Sequence, residues 1–402
     1  PVDMTRNHED VYVAGTGMTV FGRQLDRSLR SLTEEAVRDA LADAGSEPAA
    51  VDQVFFANVA AGPITGQGSI VGQAALRHTG LLGIPIVNVE NACASGSTAV
   101  GLACNALAAG AADVVLVIGA EKLTHEDKAR TFAAFSAGYD QEEPPTIARE
   151  RGNGGSARSV FMDVYASVAQ AYMARSGATR EDLAAVAVKA QRHGGLNPKA
   201  QYGMGITAEQ VLESRLIVDP LTMLMCSPIS DGAAALVLAT ERGLERLQAE
   251  PVRVLAATIV SGRDRTNGEV SAPERAARLA YERAGVGPGD LDVVELPDAA
   301  APAELIVTEE LGLAEPGGGP ELLRSGATLL GGSVPVNPSG GLLSKGHPVG
   351  ATGVAQLVEL TDQLRGRCGE RQVADARIAL AENGGGYLEN DAAVATVTIL
   401  GR

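Results

Sequence analysis

The chain carries a copy of part of itself. Ala36 to Asn58 aligns without a gap on Ala276 to Asp298, at a constant offset of 240 residues. Ala36, Arg38, Ala40, Ala44, Gly45, Pro48, Asp52 and Val54 each recur unchanged at the matching position. Each copy reads as a helix stopped by Ala-Gly, a proline turn and then an apolar strand. A repeat of this kind restricts the architecture more than any single element does, because both copies must bury the same faces.

A second landmark closes each copy. Asp231-Gly-Ala-Ala-Ala-Leu-Val-Leu matches Asp391-Ala-Ala-Val-Ala-Thr-Val-Thr. Ala36 to Asp231 covers 195 positions and Ala276 to Asp391 only 115, so the first copy holds a surplus of 80. That surplus falls after the apolar run 113–119, where glycine and charged residues thicken. Bare apolar runs such as Val114 to Ile118 belong to strands covered on both faces, which with intervening helices gives an α/β layered fold. The expected organisation is a first half over residues 10–120 and 217–245, an inserted loop domain over 121–216, and a second half over 252–402. Two fused copies are expected to place two sheets around shared central helices, with equivalent strand-to-helix turns converging.

Two stretches carry chemistry. In Val89-Glu90-Asn91-Ala92-Cys93-Ala94-Ser95-Gly96-Ser97 an apolar run enters and an alanine-rich segment leaves, so Cys93 is expected where a strand becomes a helix. Unpaired N–H groups and the positive end of the helix dipole favour an ionised sulfur there. Asn337-Pro-Ser-Gly-Gly to Gly346-His347-Pro348 holds a histidine just before a second helix, 354–364. An imidazole so placed can take the proton of a thiol across a cleft. Together the two stretches resemble the nucleophile and histidine motifs of the thiolase superfamily, and Glu382-Asn383-Gly384-Gly385-Gly386 resembles its glycine-rich C-terminal loop. The segments around Asn337 and His347 look most like the sterol-carrier-protein-x type of thiolase.

The resemblance implies a five-layered α/β/α/β/α thiolase fold, a loop domain that holds coenzyme A, and a homodimer or dimer of dimers. It implies that Cys93 takes the acyl group, that His347 activates it, and that the backbone N–H groups of Cys93 and Gly384 form an oxyanion hole. No bound cofactor or metal is expected; the coenzyme A or carrier thioester is substrate. Two departures stand out. Relatives carry a His-Asp pair where this chain has Pro297-Asp298, and a second acid/base cysteine where it has Glu382 or Asn383, depending on a one-residue choice of alignment. A glutamate in an apolar cleft can be tuned to act as acid or base. Acyl loading is therefore expected to persist with an altered second half-reaction, in which an amine, a hydroxyl or an unusual carbon nucleophile is the acceptor. Arg149, Arg151, Arg158, Lys189 and Arg192 are candidates for the phosphate end of coenzyme A, and Ser230 for its pantetheine arm. Leu221 to Met225 is expected to help build an acyl pocket.

Composition removes several classes. A formal charge of −16 argues against nucleic acid, and 3% aromatic residues without tryptophan give bases nothing to stack on. Four cysteines, at 93, 104, 226 and 368, show neither zinc spacing nor a disulfide framework, and Cys104 and Cys226 are read as packing. No apolar run approaches the length of a membrane span, and the expected setting is the cytoplasm. Two other readings stand beside acyl transfer: a thiolase-like retro-aldolase working with an OB-fold and zinc-ribbon partner protein, and a non-catalytic subunit.

Overall fold

The computed structural model describes residues 9–151, 158–266 and 268–402. The first half runs β1 (Val11–Met18), α1 (Leu29–Asp43), β2 (Gln53–Ala57), β3 (Ile86–Val89), α2 (Ser95–Ala108) and β4 (Val114–Glu121). The chain then leaves the sheet for helices α3 (Val160–Ser176) and α4 (Arg180–Gly194) and returns as β5 (Gly232–Thr240). The second half follows as β6 (Val252–Ser261), α5 (Ala272–Ala284), β7 (Val293–Glu295), α6 (Ala301–Glu310), α7 (Val349–Arg365), β8 (Ile378–Gly385) and β9 (Val394–Gly401).

The strands pair in the order β3-β2-β4-β5-β1-β6-β9-β8-β7. Helix α1 covers the outer face of the first five, α5 the outer face of the last four, and α2 and α7 lie together between the two groups. These are the five layers the sequence implies. The two groups of strands were expected as separate sheets. They are hydrogen-bonded at one seam, where β1 meets β6 over only Val11↔Val254, Tyr12↔Arg253 and Val13↔Val252. Both are edge strands with unpaired backbone groups, and the short pairing satisfies those groups before the strands diverge.

The residues shared by the two copies do the same work twice. Asp52 accepts from the backbone N–H groups of Asp113 and Val114, both at 2.9 Å, and so ties the proline turn to the start of β4. Asp292 does the same for Arg377 and Ile378 at 2.7 and 2.9 Å, at the start of β8. Asp231 and Asp391, just ahead of β5 and β9, are both buried and accept backbone N–H groups, from Leu123 and Thr124 in one half and from Ala272 and Ala392 in the other.

The insertion is displaced from its expected bounds. Glu121 still belongs to β4, and the chain rejoins the sheet only at Gly232. Val218, Leu221, Leu224 and Met225 pack with Leu183, Val186 and Ala187 of α4 in the insertion's own core, which also takes in Ala301 and Leu305 of α6. Residues 217–226 thus belong to the insertion, because their apolar side chains find their partners there. Among the described residues no helix is long and apolar enough to cross a membrane.

The central helices touch at their N-terminal ends because glycine allows it. A Cβ on Gly96 would lie 2.8 Å from the Gly350 carbonyl oxygen, and one on Gly353 would lie 2.5 Å from the Ser97 nitrogen. Gly353→Ala is expected to destabilise the fold by about 2 kcal/mol. The gain in helix propensity, at most ~1 kcal/mol, is smaller than the cost of forcing a methyl group into backbone that cannot yield. Urea titration of the variant measures this, and a rise in stability would contradict it.

Candidate active site

Cys93 lies in a single 3-10 turn, Ala92–Ala94, immediately before α2. The turn is tight: Ala92 takes φ +48°, a left-handed conformation that costs an alanine about 1 kcal/mol. Side chains hold it there. The Ala92 N–H donates to Glu90 Oε1 at 2.7 Å, the Asn91 N–H to Ser95 Oγ at 2.7 Å, and the Ser95 hydroxyl to the Ala92 carbonyl at 2.6 Å. The C-terminal loop packs directly on this turn. A Cβ on Gly385 would sit 2.3 Å from the Asn91 oxygen and 2.7 Å from the Ala94 nitrogen, so only glycine fits.

His347 stands before α7 as Cys93 stands before α2, each two residues ahead of its helix. The contact between those two helix ends brings both residues to one cavity of about 1790 Å3, which Glu382, Gly384, Gly385 and Gly386 also line. The Thr352 hydroxyl is 3.1 Å from the Pro348 carbonyl, its natural acceptor one turn back, and 2.7 Å from His347 Nδ1. With its proton directed to Pro348, the Thr352 oxygen accepts the Nδ1–H, which leaves Nε2 as the basic nitrogen. Burial, helped by the neighbouring Lys345 charge, pulls the imidazole down to about 3. Burial pushes the Cys93 thiol up to about 12, and the nearby Glu121 carboxylate adds to this. The helix-end argument pointed to a resting thiolate. Desolvation outweighs the dipole here, and the two groups facing the cavity rest as a thiol and a neutral imidazole.

Glu121 links the two halves behind this pair. Its buried carboxylate accepts from the N–H groups of Val59, Ala60 and Gly350, at 3.1, 3.0 and 3.0 Å, and from Asn58 Nδ2 at 2.9 Å. Burial outweighs those four donors and raises it to about 7.

Strand geometry separates Glu382 from Asn383 at the cavity. Neighbouring residues of β8 face opposite sides. Glu382 lines the cavity, fully buried, with neither carboxylate oxygen bonded to any described residue. Asn383 turns away, its Nδ2 donating to Gln356 Oε1 of α7 at 2.9 Å, and it is removed from the candidate site. Burial holds the Glu382 carboxyl well above its ordinary range, and the Glu310 charge contributes. Pro297 lines the cavity as expected, whereas Asp298 is buried behind it and accepts from the Leu342 N–H at 2.5 Å.

Two ligand-binding expectations are corrected. Lys189 is 3% exposed, its ammonium 2.5 Å from Glu304 and 3.2 Å from the Val336 carbonyl, so it holds α4 to α6 and cannot meet a phosphate. Ser230 is fully buried. Its hydroxyl is 2.6 Å from Gln201 Oε1 and accepts the His347 N–H at 3.1 Å, so it positions the histidine backbone and leaves nothing for pantetheine. Arg158 reaches the cavity with both ends of its guanidinium on Asp163, at 2.8 and 2.9 Å. Arg149 donates to Thr146 Oγ1, and Arg192 is exposed away from the cavity. The side chain of Arg151 lies outside the described residues. Of the expected acyl-pocket stretch, Met223 and Leu224 line the cavity, and Leu221 and Met225 are insertion core. Cys104 is core; Cys226 lines the cavity.

Sequence reasoning missed Tyr165, which α3 hangs over the cavity and whose phenol is raised by burial and by the charges of Cys93, Glu382 and Asp298. It also missed Arg23, Lys128 and Arg215, cavity-lining cations with no ion pair among the described residues. Nothing in their local sequence marks them.

Residues 11–242 match the family described as "Thiolase, N-terminal domain", and residues 256–402 that described as "Thiolase C-terminal domain-like". The chain belongs to the thiolase family. As such it is an acyltransferase. It is 40% identical over 384 residues to the acetyl-CoA acetyltransferase of Methanothermobacter thermautotrophicus, covering 94% of this chain and 96% of that one. It is 38% identical to sterol carrier protein 2 of Homo sapiens, over 93% of this chain and 69% of that one, and 37% identical to the benzoylsuccinyl-CoA thiolase subunit BbsB of Thauera aromatica, over 94% of each. Among solved structures the Ltp2-ChsH2(DUF35) aldolase superposes with TM-score 0.79 at 28% identity, and human mitochondrial 3-ketoacyl-CoA thiolase with TM-score 0.71 at 20% identity, each over 98% of both chains. The second of these shows the same fold.

Proposed function

We propose that this thiolase-family enzyme loads the acyl group of a coenzyme A thioester onto Cys93, and that Glu382 takes the place of a second cysteine in the other half-reaction. The observation that carries the reading is the convergence of Cys93, His347 and Glu382 on one cavity, from three elements joined at glycines. His347 Nε2 takes the thiol proton as the sulfur attacks the carbonyl carbon. The backbone N–H groups of Cys93 and Gly384 receive the developing oxyanion. Neither the thiol nor the imidazole ionises alone at neutral pH, so proton transfer is coupled to attack on a bound substrate.

A protonated Glu382 suits a departing carbon. When a carbon–carbon bond next to the thioester breaks, the electron pair returns to an enolate, and the Glu382 O–H gives that carbon its proton. Pro297 supplies no hydrogen bond where relatives have a histidine, so the enolate oxygen needs another donor. At the mouth, Arg23, Lys128 and Arg215 are placed for the phosphates of coenzyme A. They also answer how so acidic a chain attracts an anion.

Intact-protein mass spectrometry after exposure to a panel of acyl-CoA thioesters tests this. One acyl mass is expected on the wild type and none on Cys93→Ala; a folded wild type that gains no mass from any donor would overturn the reading. A second reading, cleavage of an aldol substrate with a partner protein of the OB-fold and zinc-ribbon kind, draws on the 28% identical neighbour named as an aldolase and on Pro297. It requires that such a partner co-purify and that turnover survive Cys93→Ala.

A further inference from the structure

The insertion is fastened to the histidine motif by a row of hydrogen bonds. Just after α4, Asn197 Nδ2 donates to the Ser339 carbonyl at 2.9 Å. The Tyr202 N–H donates to the Ser344 carbonyl at 3.0 Å, and the Ser344 hydroxyl returns to the Tyr202 carbonyl at 2.7 Å. Beside them the Gln201 N–H donates to the Lys345 carbonyl at 3.1 Å. Residues 197–202 thus lie against 339–345, and the next two residues of that stretch are Gly346 and His347.

Gly346 is the weak point of the motif. Its φ is +109°, a conformation open to glycine and to almost nothing else, so its own backbone does little to hold the residues on either side. Gln201 grips both of them. Its N–H holds the Lys345 carbonyl ahead of the glycine, and its side chain reaches His347 behind it through Ser230. The Ser230 oxygen accepts the His347 N–H at 3.1 Å. Its own proton has two acceptors in reach, Gln201 Oε1 at 2.6 Å and the Pro228 carbonyl at 3.2 Å, and the shorter bond goes to the amide. The space admits nothing more: a Cβ on Gly346 would lie 2.5 Å from Ser230 Oγ and 3.1 Å from Gln201 Oε1.

We infer that Gln201 is a positioning residue for His347, acting through Ser230 on the main chain as Thr352 acts on the ring, and this rests on the acyl-transfer reading above. In that reading Nε2 must meet the thiol proton during attack. Such a step tolerates little error, since a misplacement of about 1 Å can slow a reaction roughly a hundredfold. Without Gln201 the Ser230 hydroxyl turns to Pro228, and the peptide that carries His347 is free to swing about Gly346. Because Gln201 belongs to the insertion, the place of the base depends on how the insertion is seated on the second half. The residue needs no contact with the thiol or the thioester to do this.

Gln201→Met keeps the length of the side chain and removes both of its hydrogen-bonding ends. In rapid-quench mass spectrometry with an acyl-CoA that loads Cys93, it is expected to lower the rate at saturating thioester about tenfold and to leave the half-saturating concentration unmoved. Gln201→Glu keeps an acceptor for the Ser230 hydroxyl and should regain most of the loss. In a His347→Ala background Gln201→Met should cost nothing further, because the group it positions is gone. A role confined to steadying the insertion gives the opposite pattern, a shifted half-saturating concentration and the same penalty with or without His347. Either of those results, or a wild-type rate in Gln201→Met, would overturn the inference. If Gln201→Met does not fold, Ser230→Ala cuts the same link by removing a single oxygen and is judged by the same outcomes. A folded wild type that no donor acylates would instead overturn the acyl-transfer reading itself.

Discussion

His347→Ala is expected to slow acylation of Cys93 by roughly 10³-fold, a barrier increase of about 4 kcal/mol, while leaving a folded protein. The size follows from the resting state. A thiol held up at about 12 is almost wholly protonated at neutral pH, so attack depends on a base that removes the proton during the step. Thr352→Val removes the group that fixes the ring at Nδ1 and should cost about tenfold, an orientation effect alone. The pH profile gives an independent check. Because His347 stays neutral until pH falls to about 3, acylation should not weaken as pH drops through 6.5. Glu121, titrating near 7, acts the other way: its charge opposes thiolate formation above that pH. Rapid-quench mass spectrometry across pH 5 to 9 measures both, and a rate that falls on acidification through the ordinary histidine range would refute the assignment.

Lys189→Met is expected to cost 3–5 kcal/mol or so of stability, the usual range when one partner of a buried ion pair is removed. The pair is 2% exposed on both sides, and Glu304 Oε2 already has no partner among the described residues, so the remaining carboxylate would find nothing to replace the ammonium. The loss should depend on pH. Burial raises Glu304 even with Lys189 present, and its removal raises it further. A carboxyl whose folded value lies above its unfolded one is most favourable below the unfolded value. The deficit should therefore shrink as pH falls toward about 4.5 and grow as pH rises through the folded value. Replacing both partners, Lys189→Met with Glu304→Leu, should recover most of the loss, because a matched apolar pair pays no desolvation. Denaturant titrations of the two variants at two pH values separate these outcomes.

The architecture was legible because the repeat preserved working residues. Asp52 and Asp292 were identical in sequence for the reason that both tie a turn to a parallel strand. The nucleophile and the histidine were legible because each stands in a local motif. What stayed hidden depends on register and on distant partners. One residue of shift along β8 exchanges Glu382 for Asn383, and only pairing with β9, Glu382 opposite Val397, fixes which one faces the cavity. Lys189 reads as a surface cation until Glu304, on another helix, is seen beneath it. Ser230 has the same history, its partners Gln201 and His347 being far away in the chain. Arg23 and Arg215 belong to no motif and acquire meaning only from the cavity they share.

The position of α7 has a consequence for how the molecule is made. This helix packs against β4 and β5 of the first half and against β8 of the second, yet it begins 109 positions after β5 ends. During synthesis the half that carries the nucleophile emerges early, with α2 alone against its inner face. Val354, Leu357 and Leu360, which complete that core, are made only after the whole first half and the insertion. The first half must therefore wait, partly open, for a late-arriving segment. That makes the nascent chain a natural client of chaperones, and loss of α7 far more damaging than its length suggests.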